Sequence, residues 1–234
     1  LMELKHGIFY GVGIGPGDPE LLTQKALRVL GECPVLACPQ THSGEMLALD
    51  IVRGAMDVSE KTILPLHFAM SRDPAVQRKA HEDAAREVCR YLEQGMDVAM
   101  PNLGDVSIYS TYCYLMEIVQ AAGFETAMIP GVTSFCAIAA RLGISLTEMN
   151  TPVHIVPASG DLETALQWPG TKILMKSGKQ LPETIQAVRE HANPAHSALV
   201  QNCGLPDERV FPNLAESAPG PEGSGYFSTV IVKE

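Results

Sequence analysis

The chain has 234 residues, 46% of them hydrophobic, and can therefore bury one large core or two smaller ones. Its net charge of −10 disfavours a nucleic-acid partner, and no apolar run reaches the roughly 18 residues of a membrane-spanning helix. No segment near residue 1 has the basic and apolar character of a signal peptide, so we expect a cytoplasmic protein. The six cysteines form no CxxC pair, so we expect free thiols and no metal site.

The first half of the chain alternates strand-like and helix-like segments. Asp18 followed by Pro19 is typical of a helix start and predicts the beginning of the first helix. The predicted strands are 8–14, 35–38, 61–64, 97–101 and 125–129, and the predicted helices are 21–30, 44–53, 74–94 and 109–122. This alternation predicts an α/β domain, residues 1–131, with a mostly parallel five-stranded sheet.

The second half has less regular spacing and more proline and glycine. The predicted helices are 134–142 and 182–191, and the predicted strands are 153–157, 171–176, 198–201 and 226–232. Residues 218–225 are rich in proline and glycine and predict a loop. We therefore expect a second α/β domain with a mixed sheet over residues 132–234.

A glycine-rich turn, Gly11–Gly17, follows the first predicted strand. It is similar to the dinucleotide fingerprint G-x-G-x-x-G but does not match it, because Pro16 and Asp18 occupy the third glycine position in the two possible registers. Pro16 also removes a backbone N–H that would bind phosphate. Cys38 and Pro39 stand where an NAD site requires an acidic residue. The turn therefore predicts a ligand without a pyrophosphate, which leaves a nicotinamide oxidoreductase as a weaker alternative.

Two further loops follow predicted strands and carry small polar residues. Gly104–Thr111 reads GDVSIYST, and Pro130–Ser134 reads PGVTS. Small molecules bind at the carboxyl ends of strands in open α/β sheets, and glycine lets the backbone approach a ligand closely. We expect both loops to contact a small molecule, with Asp105 as a candidate partner for an amine or a ribose.

Together these segments resemble the tetrapyrrole methylase family, whose methyl donor is S-adenosylmethionine. The resemblance covers nearly the whole chain and includes Leu174–Lys176 and Leu199–Asn202. Leu64–Asp73, Leu103–Tyr112 and Tyr226–Ser228 are most similar to the branch that methylates carbon 20 of precorrin-2 or cobalt-factor II in cobalamin biosynthesis. The resemblance implies the tetrapyrrole methylase fold, two α/β domains with a cleft between them, and a homodimer.

The resemblance also implies which residues contact the ligands. Donor contacts, many through backbone atoms, are expected at Pro16, Leu103, Gly104, Asp105, Ile108, Tyr109, Thr133, Ser134, Met175 and Cys203. The net charge repels an anionic tetrapyrrole, so its site requires local cations. Arg72, Lys176, Lys179 and Arg141 are the candidate cations, because each lies near one of the suspected loops. The candidate substrate-binding residues are Asp18, His67, Arg72 and Lys176. Tyr109 is either the start of a helix or a wall of the donor pocket.

The catalytic base remains open. Some relatives carry an aspartate after the second strand that is assigned as a base, whereas Ala37–Gln40 contains no carboxylate. Methyl transfer to an enamine-like carbon requires alignment of the reactants rather than a triad or a metal. A methylase for another ring position, for diphthine or for ribosomal RNA, and a non-catalytic module that binds S-adenosylmethionine, are the alternatives.

Overall fold

The structure is a computed structural model that describes residues 6–69, 71, 73–220 and 227–234, and the chain divides into two units, Leu1–Thr133 and Ser134–Glu234. The first unit contains one sheet in which all five strands are parallel, in the order β3-β2-β4-β1-β5. Its strands are β1 (Ile8–Gly13), β2 (Val35–Gln40), β3 (Thr62–His67), β4 (Val98–Asn102) and β5 (Glu125–Ile129). Its helices are α1 (Gln24–Glu32), α2 (Leu47–Ala55), α3 (Pro74–Leu92) and α4 (Tyr112–Ala121).

The sheet of the first unit is covered by helices on both faces. Phe9 of β1 and Met100 of β4 are fully buried against Val88 of α3 and Leu115 of α4. Helix α1 contacts β1, and α2 contacts β2 and β4. A parallel sheet that is covered on both faces needs strands that read as continuous apolar runs, which is why the sequence predicts them well.

The start of the first helix differs from the prediction. Asp18 caps a short 3-10 turn, Pro19–Leu21, by accepting a hydrogen bond from the Glu20 N–H at 2.9 Å. The backbone then becomes extended at Leu22, and Thr23 caps α1 by accepting from the Ala26 N–H at 3.0 Å. Two capping residues five positions apart therefore divide the predicted helix into a turn and a helix.

The second unit contains a mixed sheet in the order β6-β7-β10-β8-β9. Its strands are β6 (Val153–Pro157), β7 (Thr171–Met175), β8 (Ser197–Gln201), β9 (Arg209–Phe211) and β10 (Ser228–Val232), and its helices are α5 (Ser134–Leu142), α6 (Leu162–Leu166) and α7 (Leu181–His191). Among the described strands, β6 and β7 pair in parallel, and the other pairs are antiparallel. The carboxyl ends of β6, β7 and β8 therefore share one edge of the sheet.

The two faces of the second sheet pack against different helices. Leu174 and Val230 pack against Leu181 and Val188 of α7, whereas Ile231 and its neighbours in the strands pack against Ile138 of α5. The sequence did not predict α6 or β9, because segments of five and three residues are too short for a periodic pattern. The predicted last strand starts at Tyr226, which lies outside the described residues.

Candidate functional site

Three loops of the first unit meet through backbone contacts between glycines. The Gly104 N–H donates to the Gly15 carbonyl at 2.8 Å, and the Gly15 N–H donates to the Gly104 carbonyl at 3.2 Å. A Cβ on Gly13 would lie 2.6 Å from the Gly131 nitrogen, and a Cβ on Gly131 would clash with the Gly104 carbonyl oxygen. Only glycine at these positions lets the loops after β1, β4 and β5 come so close.

The strand order places these loops at a crevice of the kind that binds ligands. Strands β1 and β4 are neighbours, but the chain leaves β1 toward β2 and leaves β4 toward β5, on opposite sides of the pair. In open α/β sheets, ligands bind beyond the carboxyl ends of the strands at such a switch point. The turn around Pro16 and the Gly104–Thr111 loop both lie there, as the sequence indicates.

Asp105 joins two of the three loops. One carboxylate oxygen, Oδ1, accepts hydrogen bonds from the N–H and the hydroxyl of Ser107, and the other, Oδ2, accepts from the Gly131 N–H at 2.8 Å. Burial opposes ionisation of this carboxyl, but the hydrogen bonds from Ser107 and Gly131 outweigh it and hold the pKa of Asp105 below its ordinary value. The Asp105 carboxylate therefore forms hydrogen bonds to other residues of the protein, a role that the sequence did not indicate.

Buried hydrogen bonds fix the other end of the same loop. The Ser110 hydroxyl donates to Asn102 Oδ1 at 2.8 Å, and the buried Tyr112 hydroxyl lies 2.9 Å from the Phe9 carbonyl and 3.0 Å from the Ala127 carbonyl. Helix α4 starts at Tyr112, so the prediction of a helix start at Tyr109 is wrong. Tyr109 instead has a φ of 51°, in the left-handed region, and 42% of its surface is exposed.

The remaining candidates of the first unit differ in how exposed they are. Asp18 is half-buried and acts as the cap described above, and His67 is exposed at the last position of β3. Arg72 lies outside the described residues. The candidates Pro16, Leu103, Ile108 and Thr133 lie in the three loops and are half-buried.

In the second unit, two of the candidate segments follow β7 and β8, whose carboxyl ends lie at the same edge of the sheet with β10 between them. Met175 ends β7, and Lys176 follows it with a φ of 61°. Asn202 follows β8 with a φ of 52°, directly before Cys203. Non-glycine residues adopt this left-handed conformation rarely, and it often occurs at functional sites. Ser134, a further candidate, begins α5.

The polar groups near Met175 are partly desolvated. The Lys176 side chain as a whole is exposed, but nearby protein atoms desolvate its ammonium group and lower its pKa. Ser177 is buried, and its hydroxyl has no hydrogen-bond partner among the described residues. The exposed Lys179 lies in the same loop.

Cys203 is a buried thiol rather than a nucleophile. Only 8% of its surface is exposed, it packs with Ile138 and Val200, and burial raises its pKa to about 11. Arg141, one of the candidate cations, donates from Nε to Glu208 Oε1 at 2.6 Å. Its charge is therefore balanced within the second unit. The sequence analysis did not single out Glu208, because its partner is 67 positions away.

The described residues contain no candidate for a metal site or a membrane span. Among them, no group of three or more histidine, cysteine, aspartate or glutamate residues could hold a metal ion. No helix in the described part of the chain is long and apolar enough to cross a membrane.

Comparison with known proteins gives close matches over nearly the full chain. The family profile of tetrapyrrole (corrin/porphyrin) methylases matches residues 9–219. The probable cobalt-precorrin-2 C(20)-methyltransferase of Methanocaldococcus jannaschii is 32% identical over 96% of this chain and 95% of its own length. The cobalt-precorrin-2 C(20)-methyltransferase of Salmonella typhimurium is 30% identical over 98% of this chain and 97% of its own length.

Solved structures share the fold. A cobalt precorrin-4 methyltransferase matches with a TM-score of 0.77 and 19% identity, over 97% of this chain and 94% of that one. The uroporphyrin-III C-methyltransferase of Thermus thermophilus, complexed with S-adenosylhomocysteine, matches with a TM-score of 0.70 and 22% identity, over 97% of this chain and 92% of that one. The predicted α/β fold, with one parallel and one mixed sheet, is confirmed.

Proposed function

The chain belongs to the family of tetrapyrrole (corrin/porphyrin) methylases, and we propose that it transfers a methyl group from S-adenosylmethionine to carbon 20 of precorrin-2 or cobalt-factor II in cobalamin biosynthesis. The observation that carries this proposal is the match to C(20)-methyltransferases at 30–32% identity over nearly the full length of both chains. This match does not favour the alternatives, which are a methylase for diphthine or ribosomal RNA and a non-catalytic binding module.

The residues around the glycine contacts fit S-adenosylmethionine. Its adenosine and amino-acid parts offer hydroxyl, amine, carboxylate and ring nitrogen groups but no phosphate. The first turn suits such a ligand, because Pro16 donates no N–H and Asp18 would repel a phosphate. When bound, S-adenosylmethionine supplies an electrophilic methyl group on a sulfonium.

We assign the donor contacts as a proposal within each unit. In the first unit they are Pro16, Leu103, Gly104, Asp105, Ile108, Tyr109 and Thr133, and in the second unit they are Ser134, Met175 and Cys203. The tight glycine packing supports backbone contacts at Gly104, and the rigid loop around Asp105 supports a fixed donor orientation. Alignment of this kind can contribute about 7–11 kcal/mol to a displacement reaction.

The substrate contacts are proposed at Asp18, His67, Arg72 and Lys176. A tetrapyrrole at this stage is a polycarboxylate, and the net charge of −10 repels it, so the site needs local cations. Lys176 is the best-supported cation among the described residues, because its left-handed backbone follows β7 directly and its ammonium group is partly desolvated. An ammonium group in such surroundings gains more from a carboxylate partner than one in open water.

A cytoplasmic location and a homodimer are also part of the proposal. None of the six cysteines forms a disulfide, which supports a reducing compartment. Light scattering on a sizing column tests the homodimer, and a mass of one chain would contradict it.

Calorimetry tests the donor assignment. Titration with S-adenosylmethionine or S-adenosylhomocysteine in the presence of a chelator should give one site per chain. Binding of NADH in its place would contradict the proposal.

A further inference from the structure

The loop after β8, residues 202–208, is closed by hydrogen bonds of its own. The Asn202 side-chain amide donates to Asp207 Oδ2 at 2.6 Å. The Leu205 N–H donates to the Asn202 carbonyl at 2.9 Å, and the Glu208 N–H donates to the Leu205 carbonyl at 3.0 Å. Asn202 and Gly204 both have positive φ, of 52° and 79°. Glycine adopts such a φ freely, whereas Asn202 does so less readily, so the hydrogen bonds around Asn202 help to hold the loop on this path.

Glu208 holds the middle of this loop. Its Oε2 accepts from the Gly204 N–H at 2.9 Å, and its carboxylate also interacts with the Cys203 thiol. Its Oε1 accepts from Arg141 Nε at 2.6 Å. Only 18% of the Glu208 side chain is exposed, against 58% of Arg141. One carboxylate therefore connects the backbone beside Cys203 to the last turn of α5.

We infer that Glu208 is a positioning residue, whose carboxylate fixes the Cys203–Gly204 backbone in the conformation that the methyl donor needs, while Arg141 holds Glu208 in place. The inference rests on the proposed function, in which Cys203 contacts S-adenosylmethionine. Glu208 itself need not touch any ligand.

The electrostatics of Glu208 support this role. Burial opposes its ionisation, but the Gly204 N–H and the Arg141 guanidinium outweigh it and lower the pKa of Glu208. The side chain is therefore a carboxylate at neutral pH, with both oxygens accepting. A glutamine at this position keeps the shape but replaces one acceptor oxygen with an NH₂ group, which faces either the Gly204 N–H or Arg141.

The test compares Glu208→Gln with a matched control, Glu32→Gln. Glu32 also pairs with an arginine, Arg28, at 2.9 Å, but both side chains are largely exposed on α1. We expect Glu208→Gln to raise the KM for S-adenosylmethionine roughly tenfold or more, since hydrogen bonds to a charged group are the stronger kind. We expect kcat at saturating donor to stay close to that of the wild type, and Glu32→Gln to change neither constant.

The outcomes separate this inference from the proposed function. A wild-type protein that does not bind S-adenosylmethionine contradicts the proposed function. A wild-type protein that binds it, together with a Glu208→Gln variant of unchanged KM, overturns the inference alone. A fall in melting temperature and in kcat without a change in KM would assign Glu208 a purely structural role and also overturn it.

A second variant covers the case in which Glu208→Gln does not fold. Arg141→Gln leaves the Glu208 carboxylate and its bond to Gly204 in place but removes the ion pair. We expect it to raise the KM for S-adenosylmethionine by a smaller factor than Glu208→Gln, about threefold to tenfold, as loss of a partly exposed ion pair allows. An unchanged KM in this folded variant overturns the inference.

Discussion

The Gly131 nitrogen lies 2.8 Å from Asp105 Oδ2, so one side chain joins the loop after β4 to the loop after β5. Both loops also contact the turn after β1 through Gly104 and Gly13. The crevice at the carboxyl edge of the first sheet is therefore built largely from backbone, and the Asp105 side chain links two of its loops.

Replacing Asp105 with asparagine should weaken binding of S-adenosylmethionine about tenfold, because the amide cannot accept hydrogen bonds from Ser107 and Gly131 with the strength of a carboxylate. Calorimetry measures the change. Asp57→Asn is the matched control, since Asp57 accepts from the N–H and hydroxyl of Ser59 in the same way but is exposed. Equal affinities for the Asp105 and Asp57 variants would show that the bond to Gly131 has no role in binding.

The stabilising effect of Asp105 should depend on pH. Its pKa is lowered in the folded state, so its contribution is fully present above the unfolded value, about 3.9, and is lost as the pH falls through the folded value. The difference in free energy of unfolding between wild type and Asp105→Asn should be constant from about pH 6 to 8 and shrink below about pH 4. Urea unfolding at several pH values measures it. A difference that grows with acid would contradict the assignment.

Valine at Gly104 should abolish donor binding while leaving most of the fold intact. Gly104 has a φ of 71°, which a β-branched residue adopts only with strain, and its backbone pairs with that of Gly15. Gly123→Val is the control, because Gly123 also has a positive φ, 92°, but a side chain there meets open space after α4. If circular dichroism shows a folded Gly104→Val protein that binds the donor normally, this loop is not the site.

The sequence predicted the elements whose signals are local. Strands 125–129 and 153–157 and helix 134–142 have the predicted bounds, because apolar runs end there at glycine or proline or at polar residues. The predicted start of α4 was wrong because the true start depends on Tyr112, whose hydroxyl contacts strands β1 and β5. A hydrogen bond between distant segments leaves no periodic pattern in the sequence.

The same distinction holds for the candidate site. The glycine-rich loops could be located from sequence, because glycine after a strand is a local signal. The bonds from Asp105 to Gly131 and from Glu208 to Arg141 could not, since these partners lie 26 and 67 positions away. The predicted ligand contacts stay predictions, and the variants above test them at Gly104 and Asp105.

Phenylalanine at Tyr112 should lower the free energy of unfolding by about 1 kcal/mol, the usual net value of one hydrogen bond. The ring fills the space beside Gly11, and its hydroxyl, with one proton to donate, lies within hydrogen-bond distance of the Phe9 and Ala127 carbonyls. Tyr114→Phe is the control, since 58% of Tyr114 is exposed. Urea unfolding compares the two, and equal stability of both variants would contradict the anchoring role of the Tyr112 hydroxyl.

The measurement that tests the central claim most directly is the position of the transferred methyl group. The protein is incubated with S-adenosylmethionine that carries an isotopically labelled methyl group, and with precorrin-2 or cobalt-factor II under anaerobic conditions. NMR of the product should show one labelled methyl on carbon 20. Donor binding without turnover on either tetrapyrrole, or a labelled methyl on any other carbon, would contradict the proposed function.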